Sequence, residues 1–227
     1  MKMKFGAIVV DGRGKIGGHV VSKNRAGSYL RTKVTPVNPN TAYQAAVRNR
    51  LSQLATAWAG LTAAQRLLWN NAVSAFKKTD IFGDIKNPTG FNLFQKLNNN
   101  LSRIGIAQIS VPPLPVELPT ITTGVLAATN AGVMTVTFTA DPSVAATEVE
   151  IEATPALSPG ISFVKSEFRV IGKMPVIVAH AADIAALYTA KFGAIGAVGQ
   201  KIFIRMKQIS KTTGQAGVPV IYSDLIG

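Results

Sequence analysis

A proline-rich stretch, SVPPLPVELPT at residues 110–120, divides the chain into two parts whose hydrophobic residues repeat with different periods. Before it, Val47, Leu51, Leu54 and Trp58 follow one another at the spacing of one helix face. After it, VMTVTFTA at residues 133–140 alternates apolar and polar side chains, as a half-buried strand does. The sequence therefore predicts an α+β multidomain protein in which 110–120 is a stiff linker.

Residues 41–109 have the pattern of a small helical domain. Three helix starts are marked by threonines that can cap them, namely Thr41, Thr62 and Thr89. The first two also have a glutamine three residues later, as a capping box requires. The apolar residues of the second and third helices are Leu68, Trp69, Val73, Phe76, Phe94, Leu97 and Leu101. The short connection at Gly60 predicts an antiparallel helix pair plus a third helix, with Trp58 and Trp69 packed between helices.

Residues 121–227 are β in character. Strands are expected at 133–140, 148–154, 161–172, 201–210 and 218–226, with a short helix at 180–194. Glu148, Glu150 and Glu152 fall on one side of the second of these strands, which is typical of a solvated face. Short strands separated by turn signals predict an antiparallel β-sandwich, and the last two strands resemble the closing hairpin of immunoglobulin-like and fibronectin type III domains.

The sequence of residues 1–40 predicts a glycine-rich basic arm. It contains β-like runs at Phe5–Val10, His19–Ser22 and Ser28–Val34. Gly12, Gly14 and Gly17 form a G-x-G-x-x-G pattern that would suit a dinucleotide site. The residues after it are β-branched and basic, so the helix and the acidic residue that such a site needs are missing. We expect a turn in a cationic arm that has too few apolar residues to build its own core.

The positive charge of the chain is concentrated in its first half. Residues 1–103 contain 16 Lys and Arg against 3 Asp and Glu, whereas residues 104–227 contain 8 of each, so the first half carries the whole net charge of +13. This asymmetry indicates a polyanionic partner, either nucleic acid or an acidic protein surface, although a basic surface kept for solubility has the same composition. The arm could also pair as a strand with a neighbouring subunit. The candidate binding residues are Arg13, Lys15, Lys23, Arg25, Arg31, Lys33, Arg48 and Arg50.

Catalytic and metal-binding patterns are weak. The chain has no cysteine, which excludes disulfides, thiolate metal sites and cysteine nucleophiles. Its two histidines are His19 and His180, and His180 has only Asp183 near it, three residues on along the expected helix. We therefore expect no enzyme, no cofactor and no metal. No apolar run is long enough for a signal peptide or a membrane span.

The stretch from Gly14 to about Ser110 resembles a family of structural proteins encoded by tailed bacteriophages and prophages. The resemblance lies in GKIGGHVVSKNRAGSYLRTKVTPVNPNT, in QAAVRNRLSQLATAWAGLTAAQRLLWN and in FGDIKNPTGFNLFQKLN. It implies a virion component assembled in the cytoplasm of a bacterial host, in contact with other capsid or tail subunits of a large symmetric assembly. A capsid-associated auxiliary or cement role is the leading expectation. A tail or head–tail connector role, and a DNA-binding role inside the particle, are the alternatives.

Overall fold

A computed structural model describes residues 1–6, 11–121, 124–142 and 146–227. The arm forms a small antiparallel sheet in the order β1 (Gly14–Ile16), β2 (His19–Asn24) and β3 (Gly27–Thr32). The first residues of the chain join the outer edge of β3, where Lys2 lies opposite Tyr29. The expected strand at 5–10 is not seen at Phe5 and Gly6, and its remaining positions lie outside the described residues.

Three helices follow, and each begins at the predicted threonine. They are α1 (Ala42–Gly60), α2 (Ala63–Ala72) and α3 (Gly90–Arg103). The hydroxyl groups of Thr41, Thr62 and Thr89 accept from the backbone N–H three residues on, and Thr62 with Gln65 completes a capping box. Between α2 and α3 lie a 3-10 turn (Val73–Phe76) and a pair of very short strands, β4 (Lys78–Thr79) and β5 (Ile85–Lys86).

Both α1 and α2 pack mainly against α3, and aromatic side chains fill the space between them. Trp69 is fully buried with its ring edge-on to Phe94, at 5.3 Å between centroids, and Trp58 contacts the same phenyl ring at 5.4 Å. The prediction that both tryptophans pack between helices is therefore confirmed. The indole N–H of Trp69 donates to the carbonyl of Ser110 at 2.8 Å, which fixes the start of the proline-rich segment to this core.

Only part of the expected apolar face of α1 is buried. Leu54 is fully buried, but Val47 and Leu51 stay 36% and 43% exposed. The reason is length, since α1 has 19 residues and α3 has 14, so the first turns of α1 overhang their partner. Leu68 on α2 is also exposed, because its neighbour Trp69 takes the core-facing position.

The C-terminal region contains two antiparallel sheets with a shared core. One has the order β10 (Ala181–Asp183), β7 (Met134–Phe138) and β6 (Gly124–Ala128). The other has four strands in the order β12 (Val220–Leu225), β11 (Lys201–Ser210), β8 (Thr147–Ala153) and β9 (Arg169–Lys173). A short helix, α4 (Ala185–Phe192), lies between β10 and β11 in the sequence. Buried side chains from both sheets, such as Val136 and Ile151, belong to one hydrophobic cluster.

Two sequence predictions in this region were wrong in detail, and one strand was missed. Residues 161–168 are not a strand, because β8 ends at Ala153 opposite Arg169 and offers earlier residues no partner. Residues 181–183 are a strand and not part of a helix, since they pair with β7, and the N–H of Phe138 extends that ladder by donating to the carbonyl of His180. The first strand, β6, was not predicted.

The glutamates of β8 do not form a solvated face. Glu150 and Glu152 are 2% and 7% exposed, because the C-terminal end of α3 lies over them. Arg103 of α3 places its Nε 2.5 Å from Glu150, and Lys207 of β11 lies 2.8 Å from the same carboxylate. Arg205 pairs with Glu152. This charge cluster joins the helical region to the four-stranded sheet.

A loop of the C-terminal region also reaches α3. The carbonyl of Gly214, between β11 and β12, accepts from the side-chain amide of Asn100 at 2.8 Å. Leu101 and Ile104 pack on Ile209 at the same place. The far end of the proline-rich segment is held as well, since the N–H of Val116 donates to Gln215 at 2.7 Å. The helical region is therefore in direct contact with the four-stranded sheet.

Candidate interaction surface of the N-terminal arm

Strand register places three of the predicted cations on one side of the arm sheet. Lys15 of β1 and Arg31 of β3 both lie opposite Val20 of β2, so all three share one face. Lys33 extends this row, because its N–H donates to the carbonyl of Gly18 at 2.8 Å. Lys15 and Arg31 are two strands apart, which is about 10 Å. We call Lys15, Arg31 and Lys33 the cationic face.

The side chains of the cationic face are exposed to solvent, and within the described part of the chain no carboxylate pairs with them. Their charges are therefore not neutralised internally. A surface of this kind attracts an anionic partner, and the attraction falls with ionic strength because exposed charges are screened.

Arg13 and Lys23 have an acidic neighbour instead. The carboxylate of Asp11 lies 3.2 Å from the Lys23 ammonium and 4.0 Å from the Arg13 guanidinium. The hydrogen bond from Lys23 is the main reason why the pKa of Asp11 lies below its ordinary value. By the alternation of the strand, Lys23 lies on the side of β2 opposite the cationic face. These two residues stay exposed, but Lys23 is not part of the same surface.

The remaining predicted cations lie elsewhere. Arg25 sits in the turn between β2 and β3. Arg48 of α1 donates to the side-chain carbonyls of Asn38 at 2.7 Å and Asn40 at 3.5 Å, so it holds the chain where the arm enters α1. Arg50 is half-buried on the same helix. The eight predicted residues therefore do not form one patch, and their role in binding stays a prediction.

The glycines of the G-x-G-x-x-G pattern serve the hairpin. Gly17 has a φ of 55° and forms the tight turn with Gly18 between β1 and β2, a conformation that other residues adopt at a cost. Gly12 lies against the ring of Phe5, where a Cβ atom would come within 3.0 Å. Strand β2, and not a helix, comes directly after the turn at Gly17.

The arm has almost no core of its own. Among its described residues, Val21 is the only buried hydrophobic side chain. The connector from residue 33 to residue 41 is exposed throughout, with Val34 at 66% and Val37 at 87%. The outer edge of β1 has no strand partner among the described residues. The arm therefore presents charge, apolar side chains and unpaired backbone to its surroundings.

The charge cluster under α3 was missed by sequence reasoning, although the sequence contains a signal for it. Glu150 and Glu152 alternate along β8 as Lys207 and Arg205 alternate along β11, and the register places each pair directly opposite. Two strands with matched rows of opposite charge indicate a paired face. What the strands alone do not reveal is Arg103, which comes from a helix almost fifty residues away and buries the cluster.

His180 does not act with Asp183. Its Nδ1 lies 2.9 Å from the carboxylate of Asp141, and both side chains are largely exposed. Asp183 instead accepts from the N–H of Ala185 at the start of α4. Within the described ranges, no group of three potential ligand side chains is close enough to hold a metal ion. Among the described helices, none is both long and apolar enough to cross a membrane.

Comparisons with known proteins leave the family of the chain open. No protein-family model matches it, and no curated protein matches it. Among solved structures, a β-1,2-glucanase from Parabacteroides distasonis aligns with 50% of this chain at 13% sequence identity and a TM-score of 0.27. The aligned part spans 14% of that enzyme's chain, so neither its fold nor its activity is transferred to this protein.

Proposed function

We propose that this protein is a non-enzymatic structural component of a tailed-phage particle, held to the capsid by its basic N-terminal half as an auxiliary or cement protein. The observation that supports this most is the arm, whose described residues combine an unneutralised cationic face with a single buried hydrophobic side chain. Such a segment gains most of its stability when a partner covers it. In a particle, a neighbouring subunit is that partner.

The arm offers two ways to make this contact. The free outer edge of β1 can receive a strand from a neighbouring subunit, because its backbone N–H and C=O groups are unpaired within the described residues. The cationic face can lie on an acidic protein surface. Both surfaces lie away from the contacts that Lys2 and Lys4 make with Asp80 and Asp84 beside the helical region.

In this proposal the C-terminal region is an immunoglobulin-like sandwich of fibronectin type III type that faces outward. Its strand orders, β10-β7-β6 and β12-β11-β8-β9, divide seven strands into a three-stranded and a four-stranded sheet with a common core. This division supports the proposed arrangement. Sandwiches of this kind expose loops at both ends, which suits a domain displayed on a particle.

A tail or head–tail connector component would use the same anchoring surface. The place of the chain in the intact particle distinguishes the capsid, tail and connector roles. A DNA-binding role inside the particle is a separate candidate, favoured by the absence of paired carboxylates on the cationic face within the described residues. If DNA is the partner, affinity falls steeply as salt rises, with a slope that reflects the phosphates contacted. Salt-insensitive or undetectable DNA binding by the purified protein removes this candidate.

The proposal is tested by removing the arm. A chain lacking residues 1–35 is expected to keep its helical core and both C-terminal sheets, because those residues contribute only Val21 to the buried hydrophobic set among the described residues. It is also expected to be absent from particles purified from cells that supply the other virion proteins. A chain with Lys15→Gln and Arg31→Gln tests the charge alone, and Lys165→Gln with Lys173→Gln is the matched control on the sandwich. Normal incorporation of the truncated chain contradicts the proposal.

A further inference from the structure

A cleft of about 710 Å³ lies apart from the cationic face, where three elements of the basic half meet. Its walls come from the turn between β2 and β3, from the β4–β5 hairpin and from the start of α3. The volume falls within the range of natural ligand sites. No sequence motif marks this cleft, because its lining residues come from separate parts of the chain.

Cations surround the cleft, and Asp80, the one acid among its described lining residues, already has hydrogen-bond partners. The carboxylate of Asp80 accepts from the backbone N–H groups of Phe82 and Asp84, and the Lys2 ammonium lies 3.5 Å from it. Burial raises the pKa of Asp80, but these N–H groups and Lys2 outweigh that effect, so the pKa lies below its ordinary value. Asp80 is therefore a structural anion whose charge is compensated within the wall.

The rim of the cleft retains positive charge. Arg25 in the turn between β2 and β3 and Lys86 of β5 line it from two different elements. Lys86 lies 3.7 Å from Asp84, which also pairs with Lys4 at 2.9 Å, so one carboxylate is shared between two ammonium groups. The cleft thus carries a net excess of positive charge toward a ligand.

The walls between these cations are apolar. Phe76, Ile85 and Leu93 line the cleft, and Ile85 is 65% exposed even though it is a large aliphatic side chain. An exposed aliphatic residue beside cationic groups matches a ligand that has both apolar and acidic side chains. Single-stranded nucleic acid would favour exposed aromatic rings for base stacking, whereas the one aromatic lining residue, Phe76, is half-buried.

We propose that this cleft binds a short acidic peptide segment of a partner protein, whose carboxylates meet Arg25 and Lys86 and whose apolar side chain covers Ile85. The inference goes beyond the proposed function, because the cleft is separate from the cationic face and its chemistry does not depend on the partner being a virion protein. It adds a second, sequence-selective contact to the basic half of the chain.

The probe for the experiment is a short fluorescent peptide of alternating glutamate and leucine with a central proline that keeps it monomeric. Its binding to the full chain is followed by fluorescence anisotropy at low and at moderate salt. The comparison peptide has glutamine at every glutamate position. A labelled oligothymidylate tests nucleic acid as the alternative ligand.

The expected result is saturable binding of the acidic peptide, with at least tenfold weaker binding of the glutamine peptide. Arg25→Gln with Lys86→Gln should weaken binding of the acidic peptide about tenfold, since each exposed ion pair is worth about fivefold or less. Lys165→Gln with Lys173→Gln removes the same charge from the sandwich and should change the affinity less than twofold.

Several results overturn the inference. These are no binding of the acidic peptide, equal binding of the two peptides, and equal losses in the cleft variant and the control variant. Tighter binding of the oligothymidylate that is lost in the cleft variant assigns the cleft to nucleic acid instead. The Lys15→Gln, Arg31→Gln variant should leave peptide binding unchanged, so failure of the cleft inference and failure of the proposed anchoring role are distinguishable.

Discussion

Replacing Gly214 with alanine should move the loop between β11 and β12 away from the helical region and lower the free energy of unfolding. Gly214 has a φ of 68°, in the left-handed region that a residue with a Cβ atom adopts at a cost of about 1–2 kcal/mol. A Cβ atom there would lie 2.9 Å from the carbonyl carbon of Leu97 on α3 and closer still to its oxygen. The loop must then move away from α3.

That movement breaks the hydrogen bond from Asn100 to the carbonyl of Gly214. Asn100 is 9% exposed, so its amide would lose a partner that water replaces poorly, at a cost of about 1–3 kcal/mol. Together with the backbone term, Gly214→Ala should lower the free energy of unfolding by about 2–5 kcal/mol. The matched control is Gly199→Ala, where φ is 82° and nothing lies near the added Cβ atom, so only the backbone term of about 1–2 kcal/mol applies.

Denaturant unfolding measures the difference. Both tryptophans of the chain lie in the helical region, so their fluorescence follows that region while far-ultraviolet circular dichroism follows the whole protein. The wild-type protein and Gly199→Ala should give coincident transitions by the two probes, whereas Gly214→Ala should separate them. Equal destabilisation by the two alanine variants would refute the close approach of this loop to α3.

Three further predictions concern a buried tryptophan, a helix cap and a buried tyrosine. Trp69→Phe should lower stability by about 1–3 kcal/mol, because the carbonyl of Ser110 loses its indole donor and a smaller ring fills the site; thermal unfolding measures this. Thr62→Ala removes the capping box of α2 and should cost about 1 kcal/mol by the same measurement, with Thr62→Ser as the conservative control. Burial raises the pKa of Tyr188 to about 12, and its hydroxyl donates to the carbonyl of Thr154, so stability should fall as pH rises from about 10 towards 12.

Each of these predictions has a result that contradicts it. Stability of Trp69→Phe equal to that of the wild type would show that the Ser110 contact contributes nothing. Equal losses of stability in Thr62→Ala and Thr62→Ser would show that the Thr62 hydroxyl does not stabilise α2 as a cap. The folded protein disfavours the ionised form of Tyr188, so stability falls as this side chain ionises. A Tyr188→Phe variant should therefore lose less stability at alkaline pH than the wild type. An identical alkaline loss in both proteins would contradict the assignment.

Local features of this fold were predictable from sequence because they depend on neighbouring residues. The caps at Thr41, Thr62 and Thr89 act within three residues, and all three helices begin where these side chains indicate. The long strand β11 was equally clear, since residues 201–210 were expected as a strand and are one. Patterns of this kind define an element without knowledge of its partner.

Features that depend on a distant partner were not predictable. The alternation of Glu150 and Glu152 is the same on an open and on a covered sheet face, and only Arg103 from α3 decides between them. Likewise, β10 is a strand because β7 lies beside it, although its three residues adjoin a helix-forming sequence.

The candidate surface also combines features set by neighbouring residues with features set by distant contacts. The turn at Gly17 and the alternation of strands are enough to place Lys15 and Arg31 on one face. The positions of Arg48 and Lys23 depend on Asn38 and Asp11, and nothing in the sequence reveals those contacts. The sequence therefore supplies a list of cations, and the fold selects which of them act together.

We propose that the basic arm anchors this chain to a neighbouring subunit of a phage particle while the C-terminal sandwich faces outward. An electron cryo-microscopy map of the intact particle, with the chain located in it, is the decisive measurement. We expect density for the arm between subunits, with Lys15 and Arg31 at an acidic surface or β1 paired with a strand of a neighbour. A particle without this chain, or one in which the arm is free in solvent and the sandwich makes the contact, would contradict it.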